Sequence, residues 1–136
     1  MQQDNWMGWY ESLVKPSWTP EPSTIGLIWI ILYPIIVVTF AYVFYEVLRG
    51  RAPKSIGWVY LINLIANLLF TPIQFGLQNL VLASLDILIV LVSIVVMIYQ
   101  TWTIHRWVSC CQIPYFVWVA IASSLQLSIT AMNWPY

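Results

Sequence analysis

The stretch Trp9-Tyr10-Glu11-Ser12-Leu13-Val14-Lys15-Pro16-Ser17-Trp18-Thr19-Pro20 runs directly into a long apolar segment. Pro16, Pro20 and Pro22 fix their own φ and push the preceding residues out of the α region, so the stretch is expected to be extended or turned rather than helical. Trp and Tyr rings favour the boundary between lipid and water, where the ring is buried and the N–H or O–H stays wet. The stretch therefore reads either as an interfacial anchor or as a lid over a pocket within the membrane.

Outward from this stretch the chain is almost uniformly apolar. Hydrophobic residues make up 61% of its 136 positions and charged residues only 7%, far below the roughly 25% of a soluble domain. The composition is that of an all-α integral membrane protein forming a single domain over residues 1–136. Four apolar runs follow the lid segment (1–23), at about 24–48, 56–76, 80–103 and 113–134. Each is close to the ~20 residues that a helix needs to cross the hydrocarbon core. None alternates apolar and polar residues with period two, which argues against a β-barrel. At the entry to the first run, Ser23 or Thr24 can serve as the N-cap.

The formal charge is zero, and no basic tract interleaved with aromatics is present, so nucleic acid is not an expected partner. Membrane lipid is. Arg49, Arg51 and Lys54 lie in the first connection and Arg106 in the third, whereas Lys15 lies alone on the other side. The excess of basic residues places those connections in the cytoplasm and both termini on the non-cytoplasmic side. No basic segment precedes an apolar one at the N-terminus, so no cleaved signal peptide is expected.

Cys110 and Cys111 are neighbours in the expected third connection, and adjacent cysteines strain a disulfide, so both read as free thiols. His105 has no ligand-spaced partners for a metal. It and Arg106 read as polar residues facing the interface. No Ser/His/Asp set or paired-carboxylate site is visible, which weighs against an ordinary enzyme.

Within the runs, polar and aromatic residues recur at helical spacing. Asn63, Asn67, Phe70 and Gln74 fall on one face of helix two, and that stripe should face protein. Helix one carries Trp29, Tyr33 and Phe40; helix three Asp86, Ser93 and Gln100; helix four Tyr115, Trp118, Ala122, Gln126 and Asn133. The polar members can be interhelical hydrogen-bonding groups, typically ~0.6 kcal/mol each, or the floor of a small-molecule pocket. Depth favours the pocket: most lie at mid-depth or in the outer half, beneath the proline-rich segment. Trp118 comes earlier in its helix and would be the innermost wall. Asp86 is either a ligand contact or a group near the start of helix three that meets water or the helix dipole.

Trp9-Tyr10, Leu13, Lys15-Pro16-Ser17-Trp18-Thr19-Pro20, Trp29 with Leu32-Tyr33, Asn67-Leu68 with Pro72 and Phe75-Gly76, and Pro114-Tyr115 with Trp118, Ala122 and Leu125 together resemble the tryptophan-rich sensory protein and translocator protein family, the peripheral-type benzodiazepine receptors. The resemblance covers nearly the whole chain. It implies a membrane receptor, sensor or transporter that binds a tetrapyrrole, a porphyrin or haem-like molecule, under a loop carrying the Lys-Pro-x-Trp motif. Light-driven oxidation of bound porphyrin would be the ligand's own chemistry, with tryptophans as electron donors. No resident cofactor is required.

By the same resemblance, Trp29, Tyr33, Asn67, Trp118 and Ala122 line the pocket, with Tyr10, Trp18 and Pro20 contributed by the lid. Phe70 stands where the family usually has Trp, Gln74 where it has Phe and Gln126 where it has Asn, so the pocket should be somewhat more polar. The cholesterol-recognition motif of the C-terminus is not matched at Trp134-Pro135-Tyr136, and sterol binding is not expected. The family resembles five-helix bundles, whereas only Met1 to Gly8 precede the lid here; the chain reads as a short form lacking the first helix, natural or completed by a neighbouring copy in a homo-oligomer. The family's small-residue dimer pattern on helix two is not reproduced by Gly57 and Leu61. The alternative function is a membrane adaptor or assembly protein that binds no ligand and uses the same motifs for packing.

Overall fold

The computed structural model describes residues 8–134; the expectations placed on Met1 to Met7 and on Pro135-Tyr136 fall outside them. Four helices are long and apolar enough to span a membrane: α1 (Pro22–Leu48), α2 (Lys54–Thr71, prolonged by a π-helical turn at Pro72–Gly76), α3 (Leu80–Trp102) and α4 (Arg106–Met132). They form a ring in which α1 packs on α2 and α4, and α3 packs on α2 and α4. The α3–α4 contact is the most extensive, and α1 is held least.

The helix ends follow from local chemistry. α1 begins with Pro22 in its first turn behind Glu21 as N-cap, rather than at Ser23 or Thr24. A proline there gives up an N–H that would have had no intrahelical partner, and its fixed φ is already helical. α1 stops at Gly50, whose φ of 76° turns the backbone so that the Gly50 and Arg51 N–H groups donate to the carbonyls of Val47 and Glu46 at 3.1 and 2.8 Å. Only glycine adopts that conformation without steric cost. On α2, Pro72 has no N–H to continue the α ladder, and the chain widens so that the Leu77 N–H donates to the Pro72 carbonyl at 3.0 Å. Asn79 then caps α3, its Oδ1 accepting from the Leu82 N–H at 3.0 Å.

The first three spans match the apolar runs to within a few residues. The fourth differs: it begins at Arg106, not at 113, and carries Pro114 inside it. Proline interrupts the local ladder, but the turns before it are fixed by packing. Val108, Ser109 and Gln112 are fully buried, Ser109 Oγ donates to the Ile98 carbonyl at 2.5 Å and Gln112 Nε2 donates to Thr39 Oγ1 at 2.9 Å. Membrane helices tolerate proline when neighbouring groups compensate in this way. Cys110 and Cys111 therefore belong to α4 and not to a connection; both are free thiols.

The lid also differs from its expected conformation. Residues 8–12 are helical, because the prolines that restrict the segment begin only at Pro16. Beyond them the chain is irregular, with a turn closed by Thr19, whose N–H and Oγ1 both donate to the Pro16 carbonyl at 3.1 and 2.7 Å.

At the opposite end, Glu46 is buried and takes the Arg51 guanidinium at 2.7 Å, a hydrogen bond that holds Arg51 above its ordinary pKa. His105 turns inward to the same carboxylate, Nε2 to Oε1 3.2 Å, with its ring 5.1 Å from that of Tyr42. The expectation that His105 faces the interface is thus corrected: a buried carboxylate needs compensating partners, and His105 is within reach to be one.

Candidate functional site

A cavity of about 360 Å³ lies inside the ring at the lid end. α1 supplies Trp29 and Tyr33, which stack with centroids 5.2 Å apart, and Trp29 meets Tyr115 edge-on at 6.3 Å. α2 supplies Asn67 and Phe70, and its π-helical turn Gln74 and Phe75. α3 contributes Ile87 and Val90, and α4 contributes Trp118, Val119, Ala122 and Gln126. The walls are thus largely aromatic and aliphatic, with a few polar groups, the usual character of a small-molecule site.

The polar groups are of two kinds. Some are engaged by their neighbours: Tyr33 donates to Asn67 Oδ1 at 3.0 Å, Asn67 Nδ2 donates to the Tyr115 hydroxyl at 2.7 Å, and Tyr115 donates to Asn63 Oδ1 at 2.9 Å. Asn63 Nδ2 in turn donates to Ser93 Oγ at 2.8 Å. This chain ties α1, α2, α3 and α4 together, and two of its members, Tyr33 and Asn67, line the cavity. Gln126 Nε2 reaches the Leu80 carbonyl at 3.4 Å and is partly occupied in the same way. Others have no partner: Gln74 Oε1 and Trp118 Nε1 are buried without a hydrogen bond. Unpaired buried polar atoms are costly, about 1 to 3 kcal/mol each, and these two lie on cavity-lining residues.

The lid packs over one end of the cavity. Tyr10 is buried, lines the cavity and packs on Phe75 with centroids 5.7 Å apart, while Trp9 meets the same ring edge-on at 6.2 Å. Burial pushes the Tyr10 phenol above its ordinary pKa. Lys15 Nζ sits 4.8 Å from the Tyr10 ring centroid and donates to the carbonyls of Tyr10 and Leu13 at 2.8 and 3.1 Å. The C-terminal end of α4 holds the lid down: Asn133 Oδ1 accepts from the Val14 N–H at 2.9 Å and Asn133 Nδ2 donates to the Val14 carbonyl at 2.8 Å.

Of the residues expected from sequence, Tyr10, Trp29, Tyr33, Asn67, Phe70, Gln74, Trp118, Ala122 and Gln126 surround this one cavity. Trp118, expected as the innermost wall, is among the residues that line it. Trp18 and Pro20 are not on it: Trp18 is half exposed and Pro20 borders a shallower groove with Lys15, Pro16 and Thr19. Phe75 was not singled out as a site residue, although it stands in the matched Phe75-Gly76 pair; a helix of constant pitch does not show that the π-helical turn sets Gln74 and Phe75 side by side.

Fold and site together define a membrane-type helix bundle with an aromatic cavity beneath a lid. The chain matches the model of the TspO/MBR family over residues 1–132 and belongs to that family. It is 39% identical over 125 residues to an uncharacterised membrane protein, YtaB, of Bacillus subtilis, and 36% identical over 125 residues to the tryptophan-rich protein TspO of Bacillus cereus, in each case covering 92% of this chain and 80% of the relative. The human translocator protein is 26% identical over 127 residues, covering 92% of this chain and 75% of the relative.

Proposed function

We propose that this protein is a membrane receptor, sensor or transporter whose cavity binds a tetrapyrrole. The observation that carries the reading is the cavity itself: Trp29, Phe70 and Trp118, from three different helices, bound a space whose polar atoms Gln74 Oε1 and Trp118 Nε1 have no protein partner. A flat aromatic molecule fits such a slot, because π-faces stack on the ring walls and polar edges meet the unpaired groups. The names of relatives as a sensory protein and as a translocator protein agree with the class. In this reading both termini and the lid lie on the non-cytoplasmic side, because Arg49, Arg51, Lys54 and Arg106 gather at the other end.

Titrating the purified protein with a porphyrin while following tryptophan fluorescence tests it. Saturable quenching is expected. Quenching that rises linearly with porphyrin, as for partition into detergent, would favour the second reading, an adaptor whose motifs serve packing. That alternative draws on the Tyr33–Asn67–Tyr115–Asn63 chain, which uses up several polar groups within the protein.

A further inference from the structure

α3 carries a groove on its outer side, at the end of the bundle away from the lid. Val95, Ile98, Tyr99, Gln100, Trp102 and Thr103 line it, and its volume is about 520 Å³. From Val95 to Thr103 the helix rises about 12 Å, at ~1.5 Å per residue. The lining changes along that length: Val95, Ile98 and Tyr99 are aliphatic or aromatic, whereas Gln100 and Thr103 bring an amide and a hydroxyl toward the C-terminal end of the helix. Tyr99 and Trp102 are 82% and 43% exposed, and such rings favour the boundary between lipid and water.

Positive charge stands at the polar end. Arg106 follows Thr103 by three residues, and its guanidinium lies 4.7 Å from the centroid of the Trp102 ring that walls the groove. Arg106 also opens α4, whose N-terminus has no side-chain cap and no acidic residue in its first turn, so the positive end of the helix dipole adds to the charge. Glu46 is the one carboxylate at this end among the described residues, and it is taken by Arg51 and His105. An apolar slot that leads to a cation without a carboxylate partner fits an amphipathic anion, and in a membrane that molecule is a phospholipid.

We infer that this groove binds one anionic phospholipid, with an acyl chain along Val95, Ile98 and Tyr99 and the phosphodiester at Arg106. The other arginines at this end are set differently: Arg51 is held by Glu46, and Arg49 and Arg51 both lie against the Tyr45 ring of α1, 5.7 and 5.4 Å from its centroid. Phosphatidylglycerol keeps its phosphodiester charge uncompensated, whereas phosphatidylcholine would bring its own ammonium group toward Arg106. One basic residue near the membrane surface should therefore favour the anionic headgroup by roughly fivefold. The site is separate from the cavity and does not rest on the reading of it.

Native mass spectrometry of the full chain, titrated in detergent with dioleoyl phosphatidylglycerol or dioleoyl phosphatidylcholine, measures the affinity for the first bound lipid. Wild type should prefer phosphatidylglycerol by roughly fivefold. Arg106→Gln should bind the two lipids alike, while Arg49→Gln, which removes the same charge from the same end, should keep the preference. Val95→Trp, at a position that is 50% exposed, fills the groove with Arg106 intact and should weaken phosphatidylglycerol binding by roughly fivefold or more. Arg106 and Val95 both face outward, and thermal unfolding followed by circular dichroism checks that each variant folds as wild type does. Equal affinities in wild type, or a preference that survives Arg106→Gln, would overturn the headgroup site. A preference lost equally in Arg49→Gln would also overturn it, by assigning the effect to the overall charge of this end. Phosphatidylglycerol binding unchanged in Val95→Trp would overturn the groove as the seat of the chain.

Discussion

Asn67 Nδ2 donates to the Tyr115 hydroxyl across 2.7 Å, and through that hydroxyl the wall of the cavity is joined to the fully buried Asn63. Tyr115→Phe would leave Asn63 Oδ1 and Asn67 Nδ2 without this partner at once. Each such orphan costs about 1 to 3 kcal/mol, so the unfolding free energy in detergent should fall by at least the lower figure. Tyr33→Phe, at a residue that is 39% exposed, removes one bond to the chain and should cost less. Equal losses in the two variants would show that the chain does not organise the bundle.

Trp29→Ala and Trp118→Ala should each weaken porphyrin binding by roughly ten- to a hundredfold, because an aromatic stacking contact is worth on the order of 1 to 3 kcal/mol. His105→Ala should leave affinity unchanged, since His105 lies beside Glu46 at the end away from the cavity. Binding that survives both tryptophan substitutions but is lost in His105→Ala would reject the cavity as the site and indicate ligated haem.

Asn133 holds the lid by two hydrogen bonds to the Val14 backbone. At about 0.5 to 1.5 kcal/mol each, their loss in Asn133→Ala should speed porphyrin dissociation by roughly fivefold or more in stopped-flow displacement. An unchanged rate would mean that the lid does not gate the cavity.

Alkaline pH should open the same lid. Burial raises the Tyr10 pKa, so the neutral phenol is the form that the folded lid favours. Its stabilising contribution is complete below the ordinary phenol pKa of ~10 and is lost as pH rises through the higher folded value. Porphyrin dissociation should accelerate in that alkaline window in wild type and not in Tyr10→Phe; the same acceleration in both would assign it to other groups.

Reporter fusions at either terminus should report a non-cytoplasmic location, given the four basic residues at the opposite end against Lys15 alone at the lid end. A cytoplasmic C-terminus would reverse the orientation and with it the compartment that the lid faces.

Much of the site was legible because it depends on helical spacing. Asn63, Asn67 and Gln74 share a face of α2 by periodicity, and all three are buried. Trp18 and Pro20 were misplaced because a motif shared with a family gives membership of a loop and not the direction of each ring. Phe75 and the early start of α4 were missed for a related reason: a π-helical turn and a proline carried inside a helix are outcomes of packing that override the local rule.

The sequence by itself determined the membrane class, the four long apolar helices of the described residues and the family, since apolar length and motif order are properties of contiguous residues. Tertiary structure alone decided which polar atoms are paired and which are left over. Asn67 meets Tyr115 and Val14 meets Asn133 across separations of 48 and 119 residues, while Gln74 Oε1, Trp118 Nε1, Asp86 Oδ2 and Ser123 Oγ meet no one. A hydrogen bond requires atoms to come within about 3.5 Å, and for residues so far apart in the chain that proximity is set by how the helices pack.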